Sequence, residues 1–266
     1  MSSLQKILRR AICVIDNALI SIIDQRCLTP PKRADYALLL SVVIPVHNEA
    51  EALGRFLDSL ILLLEAALPS KYEIIVINDA STDKSGEVAT DAGTNVTLLT
   101  QARRKGSGAA RKLGSSRASG DIVVWVDGDG TYAPSDVLCL AQFASSDDQV
   151  IGARPSDFGR WRRLRLGVKG ITRWLAGLLW HTTIPDLNSG LRAFRRDCLL
   201  TWLDELPDGF SCTSTATLAA LNHRQNVRFL PVSYSARREN SRSKFHPIWD
   251  TLRLWRAVGR CWWRRQ

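Results

Sequence analysis

The stretch DGDG at 127–130 places Asp127 and Asp129 two residues apart at the end of an apolar run. Like charges this close repel each other, so water, a turn or a metal ion must offset the repulsion. Asp-Gly pairs are common in turns, and a turn is one interpretation. An EF-hand calcium loop is excluded, because Tyr132 stands where that loop has glycine and Leu138 where it has an acid. The second interpretation is a site in which these carboxylates and a substrate's phosphates hold Mg²⁺ or Mn²⁺.

Apolar runs that alternate with helical segments must position these carboxylates. The runs predict strands at 38–45, 72–81, 95–100, 121–129 and 149–154. Helices are predicted between them at 49–68, 107–119 and 134–143. This alternation predicts an α/β fold with a parallel sheet that is buried on both faces. Beyond 155 the alternation stops, apart from a late strand predicted at 228–234.

Polar clusters follow three of the predicted strands. They are His47-Asn48-Glu49, Asn78-Asp79 and Asp127-Gly128-Asp129. Parallel sheets bind ligands beyond the carboxyl ends of their strands, so these clusters are predicted to gather at one edge of the sheet.

The composition is that of a basic globular protein. The 266 residues are 45% hydrophobic and 23% charged, with a formal net charge of +10. Basic residues concentrate in 154–173 and 237–265, which suits anionic partners such as nucleic acid, anionic lipid or phosphorylated substrates. No run of 18 apolar residues occurs, so no membrane-spanning helix is predicted.

Three segments have the pattern of amphipathic helices at the periphery. Residues 1–36 are predicted to be an amphipathic helix and a linker, and residues 251–266 a basic helix rich in Trp and Arg. In 161–180, apolar and Trp side chains at helical spacing lie opposite Arg and Lys, a pattern that also fits a helix packed on the core. The remainder, 37–250, is predicted to be the main domain.

Four motifs in order, SVVIPVHNE, VINDASTD, VDGDGTY and DLNSGLRAFRR, resemble those of family 2 glycosyltransferases. The chain looks most like the branch of dolichyl-phosphate mannose synthase and other polyprenyl-phosphate sugar transferases. The resemblance spans 40–250 and implies the nucleotide-sugar-binding GT-A fold, a Rossmann-like, mostly parallel sheet flanked by helices.

The resemblance also implies roles for single residues. Asp127 and Asp129 match the metal-binding DxD motif, and Asp79 matches the acid that holds the base or ribose. Asp186 matches an acidic position near the acceptor, and Arg192 is expected near the phosphates. The residues expected to line the nucleotide pocket are Pro45, His47, Glu49 and Lys244.

Two departures from the family pattern concern phosphate binding. Gly106-Ser107-Gly108 lacks the lysine that the family often has between the glycines. The stretch ARRENSRSKFHP at 236–247 lacks the glycine of the late motif, so the arginine role falls on Arg237 or Arg238.

The chemistry of the acceptor favours a lipid phosphate, which is ionised at neutral pH and needs no strong base. A sugar hydroxyl would need a positioned carboxylate. Arg154, Arg165 and Lys169, close to tryptophans, suit a phosphate at a membrane interface. Other interpretations stay open: Asp79 as a turn residue, Asp186 as a cap of the next segment and Arg154 as a surface charge.

The sequence therefore predicts a metal-dependent inverting glycosyltransferase that moves a sugar from a UDP- or GDP-linked donor to a polyprenyl phosphate. It is predicted to act as a peripheral protein on the cytosolic membrane face, with a membrane-anchoring partner or a homo-oligomer left open. The alternatives are a transferase acting on a glycan or small-molecule hydroxyl, with Asp186 as the base, and a basic membrane- or nucleic-acid-binding module. Carboxylates at the sheet edge argue against nucleic acid, because they would repel a polyanion.

Overall fold

The computed structural model describes residues 38–154, 183–209 and 211–235. Within these ranges seven strands form one sheet with helices between them. The strands are β1 (Leu40–Val46), β2 (Tyr72–Asn78), β3 (Val96–Thr100), β4 (Ile122–Trp125), β5 (Gln149–Ala153), β6 (Arg192–Arg195) and β7 (Val227–Pro231). The helices are α1 (Ala50–Ala67), α2 (Ser85–Asp91), α3 (Ser107–Arg117), α4 (Pro134–Phe143), α5 (Arg196–Leu200) and α6 (Cys212–Asn222).

The sheet is mostly parallel, in the order β3-β2-β1-β4-β6-β5-β7. Every neighbouring pair is parallel except the two that involve β6. All residues of β1 and β4 are buried, as expected for strands that helices cover on both faces. The predicted α/β class with a mostly parallel sheet is confirmed.

Strand β6 is one of the elements that the sequence analysis does not predict. It runs antiparallel between β4 and β5, with Arg192 opposite Trp125 on one side and Ile151 on the other. Its four residues, RAFR, form neither an apolar run nor an alternating pattern. Because β6 is antiparallel, its amino end reaches the edge at which β4 ends.

The helices follow the predicted pattern where they have an apolar stripe. Helix α1 buries Leu53, Leu57, Leu60 and Leu64, the residues that predict it. Helices α3 and α4 also match their predicted segments. Helix α6 was not predicted, because it is buried on all sides from Cys212 to Ala220 and therefore has no polar face to give a helical period.

An aromatic cluster under the sheet fixes the end of β4. The ring centroids of Trp125 and Phe194 are 4.6 Å apart, and those of Phe194 and Trp202 are 5.8 Å apart. The indole N–H of Trp125 donates to the Ser115 hydroxyl of α3 at 2.8 Å, so this buried donor is satisfied. The backbone that leads to Asp127 is thus anchored on two elements.

Some predictions fall on residues outside the described ranges. These are the amphipathic helices at the N-terminus, at 161–180 and at the C-terminus, and the domain boundaries at 36/37 and 250/251. Among the residues that the structure does describe, no helix is long and apolar enough to cross a membrane.

Candidate active site

The carboxyl ends of the parallel strands meet the amino end of β6 at one edge of the sheet. The strand register pairs Val46 with Asn78, so β1 and β2 end at the same level, and it pairs Val43 with Trp125, so the chain that follows β4 runs alongside the end of β1 to the same edge. Trp125 in turn pairs with Arg192, which brings the segment 183–191 to the same edge. The structure thus places the three polar clusters where the sequence predicts them.

Asp127 is paired with a buried arginine that the sequence analysis did not select. Nη2 of Arg111, on α3, lies 2.5 Å from Oδ1 of Asp127. The Arg111 side chain is only 4% exposed, whereas that of Asp127 is 29% exposed and faces the edge of the sheet. A protein cation therefore already offsets part of the repulsion between the two aspartates.

Asp129 is stabilised within its own turn. Its Oδ1 accepts hydrogen bonds from the backbone N–H of Thr131 at 3.1 Å and from the Thr131 hydroxyl at 2.6 Å. Such bonds are typical of Asp at the start of a turn. The turn interpretation of DGDG is therefore satisfied locally, and it orients the carboxylate without excluding the metal interpretation.

The DGDG turn packs against the DLNSG segment through contacts of Gly190 and Tyr132. A Cβ added at Gly190 would lie 2.1 Å from Oδ2 of Asp127, so only glycine leaves room for this carboxylate. The backbone N–H of Gly190 donates to the Tyr132 hydroxyl at 2.9 Å, and that hydroxyl also contacts the Ser189 hydroxyl at 3.2 Å. Burial raises the pKa of Tyr132 to about 12, so the phenol stays neutral.

Asp79 holds the backbone that precedes α3. Its two carboxylate oxygens accept hydrogen bonds from the N–H groups of Lys105 at 2.7 Å and Gly106 at 2.8 Å. Nδ1 of His47 lies 2.8 Å from the backbone oxygen of Asp79, which joins the loops after β1 and β2. Asp79 is 4% exposed, so it shapes this corner of the site.

Pro45 and Glu49 flank the loop after β1. Pro45 is buried within β1 opposite Ile77. The backbone N–H of Glu49 donates to the Ser85 hydroxyl at 3.0 Å, which ties the start of α1 to α2. These contacts fix the shape of the loop, while a nucleotide contact by either residue stays a prediction.

Arg154 and Asp186, predicted as separate site residues, bind each other. Nε of Arg154 lies 2.7 Å from Oδ2 of Asp186, and Nη2 lies 3.0 Å from Oδ1. The backbone N–H of Asn188 also donates to Oδ1 at 3.0 Å. Burial raises the pKa of the Asp186 carboxyl, but the hydrogen bond and charge of Arg154 outweigh it and hold the pKa below its usual range.

The guanidinium of Arg192, which the resemblance places near phosphates, is completely buried in the structure. It donates to the backbone oxygens of Ser189 and Leu187, both at 2.9 Å, and to the Thr217 hydroxyl at 2.7 Å. Arg192 therefore holds the DLNSG segment through its backbone oxygens, and a contact of this residue with phosphates stays a prediction.

Four predicted site residues lie outside the described ranges, and their positions stay predictions. They are Arg165, Lys169, Arg237 and Lys244.

Sequence reasoning missed Arg111, Gly190 and Tyr132. Arg111 stands beside Lys112 in a helical segment, and no spacing rule separates a buried arginine from an exposed one there. Gly190 lies within the DLNSG motif, between the candidate site residues Asp186 and Arg192. A glycine in such a place indicates that another group packs closely against the backbone, and this was the signal that could have identified it.

Residues 41–202 match the model of glycosyl transferase family 2, so the chain belongs to this family. It is 32% identical over 177 residues to an undecaprenyl-phosphate 4-deoxy-4-formamido-L-arabinose transferase of Sodalis glossinidius, covering 64% of this chain and 52% of that protein. It is also 29% identical over 216 residues to the glycosyltransferase AglJ of Haloferax volcanii, covering 79% of this chain and 67% of that protein. The chain thus spans about half the length of the first of these relatives.

A solved structure with the same fold is glucosyl-3-phosphoglycerate synthase from Mycobacterium tuberculosis, in complex with Mn²⁺, uridine diphosphate and glucosyl-3-phosphoglycerate. The TM-score is 0.64 at 21% identity, with coverage of 87% of this chain and 81% of that one. At this identity the likeness establishes the fold. The resemblance to family 2 glycosyltransferases, on which the sequence analysis relies, is confirmed by the family match.

Proposed function

We propose that this chain is a metal-dependent, inverting glycosyltransferase that moves a sugar from a nucleotide sugar to a polyprenyl phosphate. Membership of glycosyl transferase family 2 supports the reaction type. Several similar proteins are undecaprenyl-phosphate transferases, which supports a lipid phosphate as the acceptor. The arrangement at the sheet edge supports a nucleotide-sugar site there.

Asp127 and Asp129 fit a divalent cation that is shared with a diphosphate. The described residues contain no group of three or more His, Cys, Asp or Glu side chains that could hold a metal ion. Two carboxylates completed by phosphate oxygens are a usual arrangement for Mg²⁺, and Mn²⁺ prefers the same ligands. When bound, the cation would neutralise negative charge on the departing nucleoside diphosphate.

The observation that carries the acceptor class is the pairing of Asp186 with Arg154. A hydroxyl acceptor needs a general base, and Asp186 is the acid that the family pattern places on the acceptor side. Its carboxylate is already engaged by Arg154, and its pKa is lowered, so it is a weak base. An acceptor that is already ionised, such as a lipid phosphate, requires no such base.

In the proposed reaction, a single in-line displacement, the residues of the site have separate roles. The loops after β1 and β2, whose shape Asp79 helps to set, would hold the nucleotide at one side, and Asp127 and Asp129 would hold the cation that the diphosphate shares. Asp186 takes two of the five N–H donors of Arg154 and orients the guanidinium, whose chemistry suits the acceptor phosphate. A phosphate oxygen forms a bond to the anomeric carbon as the bond to the nucleoside diphosphate breaks, with inversion at that carbon.

The same proposal places the protein on the cytosolic face of a membrane as a peripheral protein. The support is the lipid acceptor together with the basic, tryptophan-containing segments at 161–180 and 251–266. Sedimentation with vesicles that contain anionic lipid tests this placement, and failure to sediment would remove it.

The test of the proposed function is transfer of radiolabelled sugar from a panel of UDP- and GDP-linked donors. Undecaprenyl phosphate is compared with undecaprenol, which has a hydroxyl instead of the phosphate, and with a soluble glycan. We expect label in the organic phase only with the phosphate and a divalent cation, and none with Asp127→Asn.

Equal transfer to undecaprenol or to the glycan would overturn the lipid-phosphate acceptor. In that case Asp186→Asn is informative, because loss of the base from a hydroxyl-acceptor enzyme abolishes turnover rather than weakening it. Binding of RNA or anionic vesicles with a steep salt dependence, and no transfer with any donor, would instead indicate a basic binding module.

A further inference from the structure

Arg111 occupies a position that no part of the proposed reaction uses. It is 3% exposed, and its guanidinium lies 2.5 Å from Oδ1 of Asp127 and 5.8 Å from the ring centroid of Trp125. Its Nε is buried and has no hydrogen-bond partner among the described residues. A buried cation whose main partner is a candidate metal ligand must influence what else that ligand can bind.

Helix α3 holds Arg111 in a fixed place. A Cβ added at Gly114 would lie 2.5 Å from Val43 Cγ1 and 2.6 Å from Ile77 Cδ1, so the helix lies directly against β1 and β2. At its start, the backbone N–H groups of Lys105 and Gly106 are bound by Asp79. The guanidinium is therefore presented to Asp127 by a helix that is packed at both ends.

The charge of the pair leaves little attraction for a bare cation. Arg111 and Asp127 cancel in formal charge, and Oδ1 of Asp129 already accepts two hydrogen bonds from Thr131. No third acidic, His or Cys ligand joins them within the described ranges. Affinity for hard divalent cations rises with the number of anionic ligands, so the protein alone offers a weak site.

A nucleoside diphosphate supplies the negative charge that this site lacks. Its phosphate oxygens add anionic ligands next to Asp127 and Asp129, and they also attract the guanidinium, which then competes less for the carboxylate. The cation and the nucleotide would then each strengthen the binding of the other by the same factor.

We propose that Arg111 is the positioning residue that makes divalent-cation binding at Asp127 depend on the nucleotide diphosphate. This inference rests on the proposed metal site, but it concerns the order and coupling of binding rather than the reaction. Arg111 has this effect through Asp127, so its signature is a binding equilibrium and not only a rate.

The test is titration of Mn²⁺, with free Mn²⁺ followed by electron paramagnetic resonance, in the absence and presence of saturating UDP or GDP. The variants are Arg111→Met and Arg111→Gln, which remove the charge, and Arg111→Lys, which keeps it. Arg55→Met is the matched control, because Arg55 also pairs with an acid, Glu51, but on the exposed surface of α1.

We expect wild type and Arg55→Met to bind Mn²⁺ at least about tenfold more tightly with the nucleotide than without it. In Arg111→Met and Arg111→Gln, Mn²⁺ alone should bind about tenfold more tightly than to wild type, which shrinks the coupling factor. Arg111→Lys should restore most of the coupling.

Unchanged or weaker binding of Mn²⁺ alone by a folded Arg111→Gln would overturn the inference. If neither neutral variant folds, the wild type decides: equal Mn²⁺ affinity with and without nucleotide overturns the inference, and at least tenfold coupling with partial loss in Arg111→Lys supports it. Absence of Mn²⁺ binding by wild type even with UDP and GDP is a separate result, which contradicts the proposed metal site itself.

Discussion

Around Asp79 the site is held by backbone atoms, whereas around Asp186 it is held by charged side chains. We call the first region the nucleotide half, comprising 45–49, 78–85 and 105–108. We call the second the acceptor half, comprising Arg154 and 186–190. In the nucleotide half Asp79 binds two backbone N–H groups, and in the acceptor half Asp186 binds the guanidinium of Arg154.

The difference teaches which half depends on particular side chains. Backbone N–H groups are supplied by any residue except proline, so this contact of the nucleotide half depends mainly on Asp79 itself. The partly buried ion pair of the acceptor half needs both partners, because removal of one leaves the other charge uncompensated. Asp127 joins the halves, since Arg111 lies on the α3 side of it and Gly190 on the other.

The largest effect is expected where the halves meet. Asp127→Asn removes a carboxylate charge from the proposed metal site, and a metal contributes several kcal/mol to such a transition state. We expect kcat/KM for sugar transfer to fall by about a thousandfold or more, which corresponds to about 4 kcal/mol. Asp121→Asn, whose carboxylate accepts from the backbone of Leu39 outside both halves, should keep its activity. Near-normal transfer by folded Asp127→Asn would break the account of both halves.

In the acceptor half, loss of one charged partner should cost stability. Asp186→Asn leaves the half-buried Arg154 without its counter-charge, and we expect the free energy of unfolding to fall by about 2 kcal/mol. Denaturant unfolding measures this loss. Asp147→Asn is the control, because Asp147 pairs with Arg228 nearer the surface and should lose at most about 1 kcal/mol. Equal losses in the two variants would show that the acceptor half is not organised by this pair.

The same pair gives the stability a pH dependence. The folded-state pKa of Asp186 is lowered, so its carboxylate stabilises the fold above the ordinary pKa of Asp, about 4. This contribution is lost as the pH falls through the lowered folded-state pKa. The stability difference between wild type and Asp186→Asn should therefore shrink as the pH drops below about 4. A difference that stays constant down to pH 2 would contradict this assignment.

A smaller effect is expected from the contact between Gly190 and Asp127. In Gly190→Ala the new Cβ would stand 2.1 Å from Oδ2, so the carboxylate or the DLNSG segment must shift. We expect Mn²⁺-dependent nucleotide binding to weaken about tenfold, as is usual when a ligand's support is altered. Gly209→Ala is the matched control, because an added Cβ there meets nothing within 4 Å. Identical affinities in the two variants would remove Gly190 from the account.

An effect of similar size is expected in the nucleotide half. Asp79→Asn replaces one of two acceptor oxygens with an N–H group, which opposes a backbone donor, at a cost of about 1–2 kcal/mol. The KM for the nucleotide sugar should rise by about tenfold while kcat changes little. If kcat falls and KM is unchanged, Asp79 contributes to the chemical step and the two halves are not separate.

The nucleotide half could be predicted from the sequence, because it follows from strand ends. Long apolar runs predict β1, β2 and β4, and the residues after parallel strands meet at one edge by topology alone. His47, Asp79 and Asp127 therefore lie where the alternation predicts. The spacing of residues in the sequence predicts neither the partners of these side chains nor the hydrogen bonds between the loops.

The acceptor half could not be predicted to the same depth, because it depends on an antiparallel strand without a pattern. β6 is four residues long and begins with a buried arginine, which local rules assign to the surface. Arg154 and Asp186 are 32 residues apart in the sequence, and they come together only when the sheet has formed. Sequence chemistry therefore selected both residues while missing that they bind each other.

The central claim is that Asp127 and Asp129 form a metal-dependent nucleotide site at the sheet edge. Calorimetric titration of wild type and Asp127→Asn with UDP and GDP, each with and without Mn²⁺, tests it most directly. We predict that one nucleotide binds wild type only when Mn²⁺ is present, and that this binding is lost in the variant. Failure of both nucleotides to bind wild type with Mn²⁺ present, or equal binding by the variant, would contradict the claim.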